Sequence, residues 1–214
     1  MKYRKLVENA KKPNGFWGKM MIKAMNKGHS SLTSWGLEHM NIERTATVLY
    51  IGCGGGKTVD RLCSIVANGK VYGIDYSELS VKSSEKLNSK NILCNKAKIL
   101  QASVSDMPFD DNTFDNITAV ETYYFWPDKE NDVKEVFRVL KQGGTVMLLF
   151  EMLRTDDDPF KWEKVENMLN IKSVTPQEIR SVLESAGFEN INTYTKEGTT
   201  WLCATAQKPK DDEN

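Results

Sequence analysis

The sequence predicts an α/β fold, a doubly wound and mostly parallel sheet with helices on both faces. Three observations carry that prediction. From Thr47 onward, short β-branched apolar runs alternate with stretches of helical periodicity. The first such run ends in a glycine cluster that opens a helix. The chain has 214 residues, 40% apolar and 27% charged, an ordinary globular composition long enough to bury a core.

The first 45 residues stand apart as an N-terminal helical cap. Pro13-Asn14-Gly15 is a turn signal. Phe16, Trp17, Met20, Met21, Ala24 and Met25 then recur at helical spacing, and Gly28 closes the stretch. Ser30 or Ser31 can cap a second short helix through Leu32, Trp35, Leu37 and Met40. The main domain spans 46–207. Val48-Leu49-Tyr50-Ile51 is its first strand, and Val59, Leu62, Ile65 and Val66 mark the following helix. Val71 to Asp75 is the second strand, and Ser77 caps a helix to about Asn88. Lys98 to Ala102 is the third strand and Phe114 to Val120 the fourth, with a helix from Asp128 to Leu140 after it. Gln142-Gly143-Gly144 turns the chain into a fifth strand, Thr145 to Phe150. Residues 155–172 read as an insert. Thr175-Pro176-Gln177-Glu178 then starts a helix that ends at Ala186-Gly187. Ile191 to Thr195 and Thr200 to Ala206 form a closing hairpin, and 208–214 is a disordered tail.

Charge and composition exclude several functions. Lys plus Arg and Asp plus Glu both total 29, so no net basic field favours nucleic acid or an anionic membrane. The longest apolar run, Val146 to Phe150, is far short of the ~20 residues that span a bilayer. The basic start, Met1 to Lys5, is not followed by a signal-type apolar stretch, so a cytoplasmic location is expected. Cys53, Cys63, Cys94 and Cys203 form no C-x-x-C pair, and no disulfide is expected. His29 and His39 lack partners at ligand spacing, so no metal site is expected. The chain is expected to be a monomer or homodimer.

The strongest signal is Ile51-Gly52-Cys53-Gly54-Gly55-Gly56-Lys57-Thr58. Glycines here permit positive φ and close approach of a ligand, and the helix start offers free N–H groups. A dinucleotide loop needs G-x-G-x-x-G, but Lys57 stands where its last glycine belongs. A phosphate-binding G-x-x-x-x-G-K-[ST] loop would need glycine at Ile51 and is one residue short. G-x-G-x-G, with glycines 52, 54 and 56, fits. Cys53 is read as the small residue the loop requires. Asp75 lies nineteen residues past Gly56, at the end of the second strand, where an acidic residue can bind a ribose diol. Ser103 to Phe109, after strand three, falls on the same rim; an Asp there can accept from an exocyclic amine, and Met107 can cover a purine.

Four ordered stretches together resemble the class I S-adenosylmethionine-dependent methyltransferases, in particular their small-molecule branch. They are Ile51 to Gly56, Val71 to Asp75, Asp106-Met107-Pro108-Phe109 with Phe114-Asp115, and Val139-Leu140-Lys141-Gln142-Gly143-Gly144. The resemblance implies a Rossmann-like, seven-stranded sheet with an antiparallel C-terminal strand and the N-terminal helices as a lid. It also implies S-adenosylmethionine as cofactor, with the loop at Gly52, Cys53, Gly54 and Gly56 against its methionine part. Asp75 and Tyr76 would then lie at the ribose, Ser105, Asp106 and Met107 at the adenine, and Val120 alongside. Tyr50 departs from the family, which usually has an acidic residue there to anchor the cofactor's amino group. Either the cofactor is held less tightly, or another carboxylate such as Glu121 compensates.

Strand four runs into Glu121-Thr122-Tyr123-Tyr124-Phe125-Trp126-Pro127, which falls beside the reacting methyl group. Glu121 is the best-placed base or amine anchor, Tyr124 a polar positioner, and His29 reaches this end if the helices form a lid. His39 has the weaker case. The loop lacks the Asn-Pro-Pro-aromatic sequence often used on nucleic-acid bases, and no basic stripe with aromatics appears. A small-molecule acceptor of apolar or aromatic character is expected.

Overall fold

The computed structural model describes residues 9–210, so the basic start and residues 211–214 lie outside it. A seven-stranded sheet in the order β3-β2-β1-β4-β5-β7-β6 forms the middle layer. Its strands are β1 (Thr47–Ile51), β2 (Lys70–Asp75), β3 (Ala97–Gln101), β4 (Phe114–Val120), β5 (Leu140–Phe150), β6 (Glu189–Thr195) and β7 (Leu202–Gln207). The first five run parallel, and β7 inserts antiparallel between β5 and β6.

Both faces of the central strands are apolar, as a sheet covered on both sides requires. On β1, Leu49 and Ile51 join one buried cluster while Val48 and Tyr50 join the other. The first cluster is covered by α6 (Lys129–Val139) and α8 (Pro176–Ser185). The second lies under α3 (Lys57–Ile65) and α4 (Glu78–Leu87), with α5 (Ser89–Leu93) following. Ser77 caps α4 through Ser80 N–H, and Thr175 and Glu178 form a reciprocal capping box on α8, both as the sequence signals.

Two helices precede the sheet, α1 (Gly15–Gly28) and α2 (Ser30–Leu37). No serine caps α2; its N-cap is His29, shared with the end of α1. Gly36 lies against Leu149 of β5, and Leu32 and Met40 belong to the same buried cluster as Val48 and Met147. The boundary expected after residue 45 therefore crosses a shared core. Residues 155–172 contain α7 (Glu163–Leu169), tied back by the Trp162 indole N–H donating to Leu153 O at 3.0 Å.

Two expectations need correction. Strand β5 begins at Leu140, because Lys141 to Gly144 stay in the sheet through a bulge, with Gly143 at φ 70° donating to Lys208 O. The tail is also ordered further than expected: the Lys208 ammonium donates to Phe137 O and Asn112 Oδ1, and the Lys210 stem lies against Gly143. Among the described residues no helix is long and apolar enough to cross a membrane, and the four cysteines are unpaired.

Candidate active site

Parallel register brings the strand ends to one rim. Ile51 lies opposite Ile74 and Ala119, and Val120 opposite Leu149. The chain therefore leaves β1 at Gly52, β2 at Asp75, β4 at Glu121 and β5 at Glu151 side by side. A cavity of about 950 Å³ opens along this rim, at the upper end of the size range of ligand pockets. Its roof includes Met25, Asn26 and His29 of the N-terminal helices, and Trp162, Val165 and Leu169 of the insert.

The glycine loop has the conformation its composition predicts. Gly52, Gly54 and Gly56 have φ of 74°, 51° and 83°. Their surroundings divide the work. A Cβ at Gly52 would overlap Thr122, and one at Gly55 would overlap Asn26 and Ile22 of α1. One at Gly56 would strike Asn88 and Ser84 of α4, and Gly56 is absent from the cavity wall. Gly54, by contrast, has only its own loop within 4 Å, so that stretch of backbone faces open space.

Asp75 is 8% exposed on the wall and joins the loop to β2. Its Oδ2 accepts from Gly54 N–H at 2.9 Å and its Oδ1 from Ser77 N–H at 2.8 Å. A carboxylate has about four lone-pair sites, so about two stay open to a ligand. Beside it on the wall, the buried Ser80 hydroxyl lies close enough to Asp75 to help hold its charge. Burial raises the Asp75 pKa, against the opposing pull of the Ser77 and Gly54 N–H groups. Tyr76 is also on the wall, its hydroxyl donating to Lys11 O and its ring facing the Lys12 ammonium at 5.4 Å.

The adenine side differs from expectation. Ala102, Ser103 and Val104 form the wall, whereas Ser105, Asp106 and Met107 do not. Asp106 closes a tight turn by bridging to Ser103. Met107 is 3% exposed in the core, and its N–H donates to Glu135, which Arg138 clamps at 2.7 Å. The Asp106-Met107-Pro108-Phe109 stretch is thus anchored to α6, and a purine stack on Met107 does not match its place.

At the opposite end, Glu121 sits at φ 58° just past Val120. Its Oε1 accepts from the Tyr124 hydroxyl at 3.3 Å and from Glu151 N–H, and Met152 N–H donates to Tyr124 Oη at 3.0 Å. Burial, with the Glu151 charge beside it, pushes Glu121 up to about 8. Burial also lowers the His29 pKa and holds the Tyr124 phenol well above its ordinary value. His29, Glu121 and Glu151 come together here. Glu151 was missed in the sequence, since only the pairing of β4 with β5 places it beside Glu121. Tyr50 is buried on the wall, its phenol raised by burial. His39 lies elsewhere, stacked on Tyr194 at 4.1 Å. Cys53 is buried on the wall with its thiol raised by burial, which suits a steric role.

Residues 49–148 match the methyltransferase domain family model. The chain is 30% identical to the ubiquinone/menaquinone biosynthesis C-methyltransferase UbiE of Cronobacter sakazakii, over 73% of this chain and 72% of that protein. It belongs to the class I S-adenosylmethionine-dependent methyltransferases. This methyltransferase is also 27% identical to the uncharacterized methyltransferase YdaC of Bacillus subtilis, over 85% of this chain and 93% of that protein. Against the longer sterol 24-C-methyltransferase of Pneumocystis carinii the enzyme spans 28% of the relative's length. Its fold matches that of an S-adenosylmethionine-dependent methyltransferase from Aquifex aeolicus with a TM-score of 0.67 and 22% identity, over 86% of this chain and 95% of that one.

Proposed function

We propose that this methyltransferase transfers a methyl group to a small, largely apolar acceptor held at the aromatic end of the cavity. The observation that carries the reading is the continuity of one cavity from Gly54 and Asp75 to Glu121, Tyr124 and Trp162. When bound, S-adenosylmethionine supplies a methyl group that is already activated. The chain then has to align the reactants and exclude water, and alignment alone can be worth ~7–11 kcal/mol. Asp75 holds the ribose hydroxyls, the backbone around Gly54 lies against the methionine part, and Ser103 with Val104 borders the adenine. Tyr124 fixes the Glu121 carboxyl, which anchors the acceptor or takes its proton where the nucleophile carries one. The N-terminal helices and residues 155–172 act as a lid over both ligands. Support for an apolar acceptor comes from Phe125, Trp126, Trp162, Val165 and Ile171 on the wall, and from relatives named for quinone and sterol C-methylation. Calorimetric titration with S-adenosylhomocysteine tests the cofactor half, and absence of binding at millimolar ligand refutes it. Turnover of an apolar ring-bearing acceptor panel tests the other half, with methylation confined to highly charged acceptors as the refuting result.

A further inference from the structure

Three side chains at the acceptor end are a better match to a cation than to an organic ligand alone. His29 comes from the α1–α2 junction, Glu121 from the end of β4 and Glu151 from the end of β5. One donor atom from each lies within 4.8 Å of the others. Bonds of 2.0–2.2 Å to a small divalent ion place such donors about 3–3.5 Å apart, so the set closes with side-chain shifts of no more than about 2 Å.

Glu121 is already oriented from behind. Tyr124 Oη and Glu151 N–H both donate to Oε1, which leaves Oε2 without a hydrogen-bond partner among the described residues. Ligating carboxylates are typically held by such outer contacts. Neither the His29 ring nor the Glu151 carboxylate has a hydrogen bond or ion pair to a described residue. Of the cations on the cavity wall, Lys57 pairs with Asp60 at 3.3 Å, Arg61 donates to Ser30 and Ser34, and Lys129 lies over the Tyr123 ring, while Lys11 lines the wall from the N-terminal side. With both carboxyls ionised, as metal ligation requires, the pair carries two negative charges. One ammonium group neutralises half of that, and a divalent ion neutralises all of it.

We propose that His29, Glu121 and Glu151 bind one divalent metal ion. Three protein donors leave coordination positions open, as catalytic metal sites do, and here the cavity supplies the space. On the methyltransferase reading above, those positions take an oxygen of the acceptor and hold it beside the methyl donor. The metal site itself does not depend on that reading.

The test uses the full chain, stripped with EDTA and titrated with Mn²⁺ alone, followed by electron paramagnetic resonance and by water proton relaxation. The expected result is about one Mn²⁺ per chain, with enhanced relaxation from exchanging water on the open positions. Glu151→Gln and His29→Ala should each weaken binding at least tenfold, while Glu189→Gln on β6 leaves it unchanged. No Mn²⁺ binding at 1 mM in a sample that still binds S-adenosylhomocysteine overturns the metal site and spares the cofactor reading. Binding that both variants leave within twofold of the parent also overturns it. Mn²⁺ binding in a chain that fails to bind S-adenosylhomocysteine supports the metal site and removes the cofactor reading instead.

Discussion

Removing the Asp75 carboxylate gives the sharpest test of how the cavity is used. Its two oxygens hold Gly54 N–H and Ser77 N–H at 2.9 and 2.8 Å, and about two acceptor sites remain, which on the proposed function take the ribose hydroxyls. Each charge-assisted hydrogen bond contributes ~1.5–3 kcal/mol. Water entering the space left by alanine recovers part of that. The expected loss of S-adenosylhomocysteine affinity in Asp75→Ala is therefore at least tenfold, ~1.4 kcal/mol, and reaches about a hundredfold if both bonds are lost. Two orphaned N–H groups also lower stability, so calorimetry should be run well below the melting temperature of the variant. An analogue without ribose hydroxyls separates the two effects, because it should bind parent and variant within twofold of each other. A folded Asp75→Ala protein that binds S-adenosylhomocysteine as the parent does would refute the ribose assignment.

Further outcomes follow from the packing. Gly36→Ala places a methyl group into Leu149, which should cost ~1–3 kcal/mol and lower the melting temperature by roughly 2–12 °C; an unchanged melting curve would show that α2 is not seated on β5. Thr175→Ala removes one arm of the α8 capping box, an expected loss of ~0.5–2 kcal/mol measurable by urea unfolding, and a change below the measurement error counts against it. Cys94 is exposed, whereas Cys53, Cys63 and Cys203 are buried with raised thiol pKa values, Cys63 to about 11. Iodoacetamide at pH 8 should therefore add one label per native chain and four per unfolded chain by intact mass. Rapid labelling of Cys53 in the native chain would contradict the closed loop described here.

Much of the architecture is legible because it rests on local rules. The glycine loop, the Ser77 and Thr175 caps and the span of β4 all follow from residues within a few positions of one another. The missed features depend on partners far along the chain. Gly143-Gly144 reads as a turn, yet contacts with Lys208 and Asp115 keep that stretch in the sheet. Asp106 and Met107 occupy a motif that looks ligand-facing, but Glu135 and Arg138, about thirty residues on, bind that segment to α6. Glu151 follows five apolar strand residues and carries no local signal. It joins Glu121 only because Val120 pairs with Leu149.

The seating of Gly36 on Leu149 has a practical bearing on redesign. Helix and strand there share one surface, with Leu32 and Met147 fully enclosed around it. A chain started at Ala46 would expose a greasy furrow to water and invite aggregation. Exchanging the leading segment between homologues to alter which molecules are accepted would succeed only when the matching β5 side chains travel with it.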